Sequence, residues 1–153
     1  MATVYLSLGS NLGDRFRYIQ EAVAALSRRA GAITALSSLY ETEPWGFSSP
    51  HPFLNVALAL ETSLSAEALL AVAQRIECDL GRTSKSVDGR YADRTIDIDL
   101  LFVGDTVVDT PSLTLPHPRL HLRRFVLEPL CEIAPDLQHP LLQKSVSQLL
   151  AGL

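Results

Sequence analysis

Hydrophobic and polar residues alternate along several stretches of the chain, which is typical of β-strands that bury one face. Val4, Leu6 and Leu8 alternate with Tyr5 and Ser7 near the start. Every second residue from Leu54 to Leu60 is likewise a leucine or a valine. In this way we predict four strands, around residues 4–8, 33–41, 54–60 and 95–103.

Two longer segments place apolar residues three or four positions apart, the spacing of one helical face. The first helix is predicted to begin after Asp14, a good N-cap residue, and to run to about Arg29, where Gly31 ends it. The second is predicted to begin after Ser65 and to close at Gly81. The predicted inner faces are Phe16, Ile19, Val23 and Leu26 in the first helix, and Leu69, Val72, Ile76 and Leu80 in the second.

The order strand, helix, strand, strand, helix, strand is that of a ferredoxin-like split βαβ unit. We therefore predict an α+β fold, with a mainly antiparallel sheet and helices packed on its faces, as one domain over residues 1–153. Farther along, Gly104-Asp105 is predicted to turn into a short hairpin strand at residues 107–108. Helices are expected near residues 125–133 and 145–150.

Composition narrows the class of protein. Of the 153 residues, 47% are hydrophobic and 20% charged, and the net charge of −4 argues against a nucleic-acid partner. The first residues lack the features of a signal peptide, and no apolar run reaches the roughly 18 residues of a membrane span, so we expect a cytoplasmic protein without a membrane partner. Cys78 and Cys131 lie in helical patterns and are expected to be buried, reduced thiols.

The most informative local pattern is Asp97-Ile98-Asp99 in the fourth strand. Alternation places both carboxylates on one face, about 6–7 Å apart along the strand. Such a pair suits Mg²⁺, which takes few carboxylates and keeps sites for water and phosphate. The alternative is the solvent face of an ordinary amphipathic strand. Leu101, an apolar residue on the aspartate side, favours the metal site.

Two basic clusters accompany this pair. Arg82, Lys85, Arg90 and Arg94 lie in the polar stretch before it, and His117, Arg119, His121, Arg123 and Arg124 follow it. Each cluster is either a solvated surface or a phosphate clamp, since arginine can pair with two phosphate oxygens at once. The stretch from Gly9 to Gly13 lacks the lysine of a phosphate loop and is better explained as a structural turn.

Several blocks together resemble the hydroxymethyldihydropterin pyrophosphokinase family of folate biosynthesis. They are residues 7–14 (SLGSNLGD), 40–46 (YETEPWG), 53–57 (FLNVA), 74–77 (QRIE), 94–101 (RTIDIDLL), 115–120 (LPHPRL) and 125–135 (FVLEPLCEIAP). The resemblance implies an enzyme that transfers diphosphate from ATP to the hydroxymethyl group of a reduced pterin and releases AMP. It also implies a monomer.

The resemblance assigns roles to individual residues. Asp97 and Asp99 are expected to hold two Mg²⁺ ions, and Asp97 is also expected to contact the substrate. Arg82 and Arg94 are expected to be the catalytic arginines of the loop. Nucleotide contacts are expected from Gln74, Glu77, Arg82, Arg94, Ile98, His117 and Arg123. Pterin contacts are expected from Thr42, Glu43, Pro44, Trp45, Phe53, Asn55 and Phe125, with Trp45 or Phe53 stacking on one side of the ring and Phe125 on the other.

The chain departs from the family pattern at two places. Residues 90–93 read Arg-Tyr-Ala-Asp, where the family usually has Arg-Trp-Gly-Pro, and Arg124 replaces a small residue. Two other functions remain open at this point. A binding module would hold ATP without turnover, and a magnesium-dependent nucleotide hydrolase would release AMP without pterin.

Overall fold

A computed structural model of the chain describes residues 1–43, 51–81 and 95–153. The strands are β1 (Ala2–Ser10), β2 (Ala32–Leu36), β3 (Tyr40–Thr42), β4 (Phe53–Thr62), β5 (Asp97–Val103), β6 (Val108–Asp109) and β7 (Thr114–Leu115). The helices are α1 (Arg15–Arg29), α2 (Ala66–Asp79), α3 (Arg124–Ile133) and α4 (Val146–Ala151), with a 3-10 turn at Leu120–Leu122.

The main sheet has the order β2-β4-β1-β5, with β3 also paired to β4, and every pairing in it is antiparallel. Long hydrophobic strands occupy its centre, where β1 pairs with β4 from Ala2↔Thr62 to Ser10↔Leu54. The predicted α+β class with a mainly antiparallel sheet is confirmed.

The sheet separates two hydrophobic cores. The α1/α2 core lies on one face, and its fully buried members, aliphatic throughout, include Leu6, Leu60 and Ile98. The α3/α4 core lies on the other face and includes Ala57, Leu101 and Phe102. Leu101 is the extra residue of a β-bulge, because Leu6 pairs with Leu100 and Tyr5 with Phe102. The bulge allows two successive side chains, Leu101 and Phe102, to enter the same core.

Side-chain caps begin the two predicted helices where expected. Asp14 accepts from Arg17 N at 3.1 Å, and Ser65 accepts from Ala68 N at 3.1 Å. Gly31 also follows the end of α1, and its Cα passes so close to Glu61 O that a Cβ would lie 1.9 Å away. The predicted inner position of Phe16 was wrong, because this side chain is 55% exposed in the first turn of α1. Ala22 and Ala25 are buried instead.

The predicted second strand, residues 33–41, is divided into β2 and β3. The interruption lies at Ser37-Ser38, where the Ser37 hydroxyl accepts from Ala57 N at 2.9 Å. A serine side chain there takes the place of a backbone carbonyl, so pairing with β4 continues although the strand does not.

The predicted turn at Gly104-Asp105 and a short strand after it are confirmed, but the two strands do not form the predicted hairpin. Gly104 does turn, with φ of 55°, and Thr106 N donates to Val103 O at 3.0 Å. The short strand that follows pairs with β7 rather than β5. The outer edge of β5 is instead contacted by His117, whose backbone N donates to Leu101 O at 3.0 Å.

The two cysteines are more exposed than predicted. Cys78 is exposed on the outer side of α2, contrary to the prediction, and Cys131 is half-buried. Among the described residues, no helix combines the length and apolar character that a membrane span needs.

Candidate active site

The two aspartates of β5 lie on the sheet face that packs against α3. Ile96, Ile98 and Leu100 are buried in the α1/α2 core, whereas Asp97 and Asp99 are half-exposed on the opposite side. The predicted alternation is confirmed. The carboxylates therefore stand on a strand that is anchored from behind by aliphatic packing.

The register of the sheet places one residue predicted to contact pterin and one predicted to bind metal in the same row. Gly9 of β1 pairs with Asp97 on one side and with Asn55 of β4 on the other. The next row of the same face contains Asp99, Ser7 and Ala57. Asp97 and Asn55 are thus two strands apart, with only a glycine between them.

Gly9 is required by this close arrangement. A Cβ at this position would lie 3.0 Å from Asn55 Oδ1 and 3.4 Å from Phe53 Cδ1. Any larger residue would push on the side chains that β4 presents to the site.

Asn55 is held in one orientation. It is 2% exposed, and its Nδ2 donates to Thr42 Oγ1 at 2.6 Å and to Tyr40 O at 3.5 Å. Phe53, two residues earlier on β4, lies on the same face and is half-buried, opposite Thr42 in the register. The structure therefore brings together three of the predicted pterin contacts, Thr42, Phe53 and Asn55.

Helix α3 packs over β4 and β3 and supplies the next two candidates. Arg123, at its N-cap, is 4% exposed, and its guanidinium carbon lies 5.6 Å from the centroid of the Phe125 ring. The first turn of α3 contains no acidic residue. The positive end of the helix and the guanidinium together favour the binding of an anion at this position.

His117 lies beside β5 at the level of Leu101, which is two residues after Asp99 in the strand. Its Nδ1 accepts from Arg119 N at 3.1 Å. The neutral ring then carries its proton on Nε2, which makes Nε2 a hydrogen-bond donor. In this tautomer the Nε2–H group can donate to a phosphate oxygen.

Glu77 and Gln74 differ in their environment although they share a helical face. Glu77 is 4% exposed and its Oε2 accepts from Ile98 N at 2.8 Å, so it fixes β5 to α2. Gln74 is exposed. The Ile98 side chain is 1% exposed in the core, so any contact of Ile98 with a nucleotide would use its backbone.

The remaining predicted site residues divide into two groups. Glu43 is exposed at the end of the described segment after β3. Pro44, Trp45, Arg82, Arg94 and the altered residues 90–93 lie outside the described residues. Their predicted roles are untested.

The donor set at Asp97 and Asp99 is compatible with magnesium. Across residues 1–43, 51–81 and 95–153, no group of three or more His, Cys, Asp or Glu side chains is gathered into a protein-only metal cage. Two carboxylates on one face suit a cation that keeps water and phosphate oxygens among its ligands.

The sequence matches the family described as 7,8-dihydro-6-hydroxymethylpterin-pyrophosphokinase (HPPK) over residues 5–135. The chain belongs to the HPPK family. Among similar proteins, the 2-amino-4-hydroxy-6-hydroxymethyldihydropteridine pyrophosphokinase of Porphyromonas gingivalis is 52% identical over 92% of this chain and 95% of its own length. The Bacillus subtilis protein of the same name is 43% identical over 88% of this chain and 79% of its own.

Solved structures support the HPPK fold. A crystal structure of an HPPK-DHPS in complex with substrates superposes on 99% of this chain with a TM-score of 0.79 at 14% identity. Wild-type Plasmodium falciparum HPPK-DHPS gives a TM-score of 0.79 at 16% identity. The chain spans 43% and 44% of those longer proteins, so the likeness concerns the fold of their shared part.

One departure from the HPPK pattern is explained by the structure. Arg124 is exposed, and its guanidinium bonds Glu128 and the backbone oxygen of Leu153, both at 3.4 Å. Arg124 is therefore engaged on the outer side of α3, whereas Arg123 is turned inward.

Sequence reasoning missed the residues that hold the segment before β4. Asn11 Nδ2 donates to His51 O at 3.0 Å, and Arg15 donates to Pro52 O at 2.9 Å and pairs with Glu41 at 3.0 Å. The one signal in the sequence was the polar stretch from Gly9 to Gly13, of which Gly9 and Ser10 belong to β1 and the chain bends only after them.

Proposed function

We propose that this member of the HPPK family transfers diphosphate from ATP to the hydroxymethyl group of 6-hydroxymethyl-7,8-dihydropterin. The products are AMP and the pterin diphosphate, and the reaction belongs to folate biosynthesis. Family membership supports this reaction. The observation that carries it is the row Asp97, Gly9, Asn55, in which a cation-binding carboxylate stands two strands from a fixed amide.

The metal side of the proposal rests on the two aspartates. Asp97 and Asp99 would hold two Mg²⁺ ions, which when bound neutralise charge on the triphosphate and polarise the phosphorus under attack. Glu77 supports these aspartates, because its bond to Ile98 N holds the strand between them in place. The buried leucines and isoleucines behind β5 give the pair a rigid base.

The nucleotide side rests on a hydrogen-bond donor, His117, and a cation, Arg123. His117 would donate from Nε2 to a phosphate oxygen, and Arg123 would pair with another through its guanidinium. The N-terminus of α3 adds a favourable field for the same anion. Gln74 and the Ile98 backbone would contact the nucleoside.

The pterin side rests on a polar edge and an aromatic wall. Thr42 and Asn55 would bond the edge of the pterin ring, while Phe53 or Trp45 and Phe125 would stack on its two faces. Because Arg123 already lies over one side of Phe125, the pterin would use the other side. Glu43 and Pro44 would line the same pocket.

Arg82 and Arg94 would complete the catalytic site by binding the transferred phosphates. Their charge would oppose the negative charge that develops during transfer, and their closure over the site would exclude competing water.

We also propose that the chain acts as a monomeric single domain in the cytoplasm, where ATP and Mg²⁺ are available. A mass measurement in solution, by light scattering, tests the monomer. A stable dimer would contradict it.

The deciding experiment is AMP release from ATP and Mg²⁺ with and without 6-hydroxymethyl-7,8-dihydropterin. We expect AMP and pterin diphosphate in equal amounts only when pterin is present. ATP binding without AMP would indicate a binding module, and AMP without pterin would indicate a hydrolase.

A further inference from the structure

The short strand β3 is held mainly by its side chains. It has three residues, and each side chain is fixed to a different element of the fold. Tyr40 donates to Glu132 of α3 at 2.6 Å, Glu41 pairs with Arg15 at 3.0 Å, and Thr42 accepts from Asn55 at 2.6 Å. A strand of this length gains little from its backbone pairing alone, so these contacts decide where it lies.

Glu132 is the centre of one of these attachments. Besides Tyr40, it accepts from Ser38 N at 3.0 and 3.2 Å and from Ser38 Oγ at 3.2 Å. The bond from Tyr40, followed by those from Ser38, lowers the pKa of Glu132. The same bond raises the pKa of Tyr40 to about 12. At neutral pH the pair is therefore a carboxylate and a phenol, joined by a charge-assisted hydrogen bond in a solvent-exposed position.

Helix α3 connects the Tyr40–Glu132 bond to Phe125, one of the residues predicted to stack on the pterin. Phe125 lies in its first turn and Glu132 in its last, about 10 Å apart at 1.5 Å per residue. Tyr40 and Thr42 alternate with Glu41 on β3, so both face α3 and Asn55. Because α3 is one continuous helix from Arg124 to Ile133, with Pro129 inside it, its contact with Tyr40 near one end helps to set how far Phe125 near the other end stands from Thr42 and Asn55.

We propose that Glu132 is a positioning residue for pterin binding, which acts through Tyr40 to set the spacing between the Thr42–Asn55 pair and Phe125. This role rests on the proposed function, because it concerns the same site. Glu132 itself does not contact the substrate in this arrangement. Loss of the Glu132–Tyr40 bond widens the space between the Thr42–Asn55 pair and Phe125. It leaves the positions of Asp97 and Asp99 unchanged.

The test compares Glu132→Ala, Glu132→Gln and Tyr40→Phe with the wild-type enzyme. The pterin dissociation constant and that of a non-hydrolysable ATP analogue with Mg²⁺ are measured separately by calorimetry. We expect Glu132→Ala and Tyr40→Phe each to weaken pterin binding by about tenfold, the order of one charge-assisted hydrogen bond. ATP-analogue binding should change less than about twofold, and glutamine, which can still accept, should restore most of the pterin affinity.

Glu128→Gln is the matched control. Glu128 lies one turn earlier on α3 and pairs with Arg124 at 3.4 Å on the exposed side, so neither dissociation constant should change. Tyr40→Phe added to Glu132→Ala should have no further effect, because both changes break the same bond. Melting temperatures verify that each variant is folded.

The outcomes separate this inference from the proposed function. If the wild-type protein releases no pterin-dependent AMP, both are overturned. If the wild type is active but Glu132→Ala binds pterin normally, or loses pterin and ATP affinity equally, the positioning role alone is overturned. Additive effects of the two substitutions would also contradict it.

Discussion

The two faces of the central sheet are built from the same strands but differ in composition. On the α1/α2 side, the side chains between sheet and helices are aliphatic and buried through the middle of both central strands, from Val4 to Leu8 in β1 and from Val56 to Leu60 in β4. On the α3/α4 side, the core ends at Ala57 and Leu101, and beyond it stand Asn55, Asp97 and Asp99.

The difference shows how one strand can serve stability and chemistry at once. In β5 the residues at even positions, Ile98 and Leu100, anchor the sheet, and Asp97 and Asp99 at odd positions are presented from that rigid base. Substitutions on the two faces should consequently change different observables.

The largest effect is expected from Asp97→Ala on the polar face. Loss of a metal carboxylate removes several kcal/mol of transition-state stabilisation, and AMP formation should fall roughly a thousandfold. The melting temperature should change little, because Asp97 is half-exposed. Asp109→Ala, an exposed aspartate on β6, is the control and should keep full activity. Full activity of Asp97→Ala would refute the metal site.

Leu60→Ala tests the aliphatic face. Leu60 is completely buried between β1, β2 and the helices, so its truncation should cost about 2–5 kcal/mol of unfolding free energy. Urea unfolding measures this cost, while the KM for pterin should stay within about twofold because the site lies at the opposite end of β4. Leu141→Ala, 60% exposed, should cost less than about 0.5 kcal/mol. A large change in KM with Leu60→Ala would show that the faces are not independent.

Gly9→Ala sharpens the comparison within the polar face. The added methyl would press on Asn55 and Phe53, so we expect the KM for pterin to rise about tenfold, equivalent to about 1.4 kcal/mol, with a smaller change for ATP. Gly152→Ala is the matched control, since its Cβ would find only contacts of 3.6 Å. Equal KM values for Gly9→Ala and the wild type would mean that Asn55 can yield without loss of binding.

The smallest effect concerns His139, which packs edge-on against Phe102 of the α3/α4 core. Burial, and secondarily the charge of His121, lower the pKa of His139. The unfolded chain therefore takes up a proton first, and stability should decline as the pH falls below about 6.5 towards the folded-state pKa. His139→Asn retains an acceptor for the N–H groups of Leu141 and Leu142 and should flatten this slope in pH-dependent melting. Parallel slopes would contradict this explanation.

Local patterns predicted much of the fold because they report burial directly. Alternation located β1, β4 and β5, and the caps Asp14 and Ser65 marked the starts of α1 and α2. The break at Ser37 was not predictable, since it depends on a hydroxyl that bonds a distant strand at Ala57. Phe16 was misplaced because the helical stripe does not show how far the sheet extends beneath a helix.

The candidate site was predictable to a similar extent. The facing of Asp97 and Asp99 follows from strand geometry, and the resemblance to the family supplied Thr42, Asn55 and Phe125 as candidates. Tyr40 and Glu132 each lie in a block that resembles the family, but sequence gave no reason to connect them with each other, because 92 positions separate them. Contacts of this kind depend on how α3 is placed on the sheet.

The outer margin of β5 has a consequence for behaviour in concentrated solution. An outermost strand is ordinarily a template on which another chain can add, which leads to aggregation. Here the outward amide of Ile98 is taken by Glu77 and the carbonyl of Leu101 by His117, both within the same molecule. The strand that bears the two acids is thereby protected from self-association without a bulky cover, and its acidic side stays accessible to small molecules.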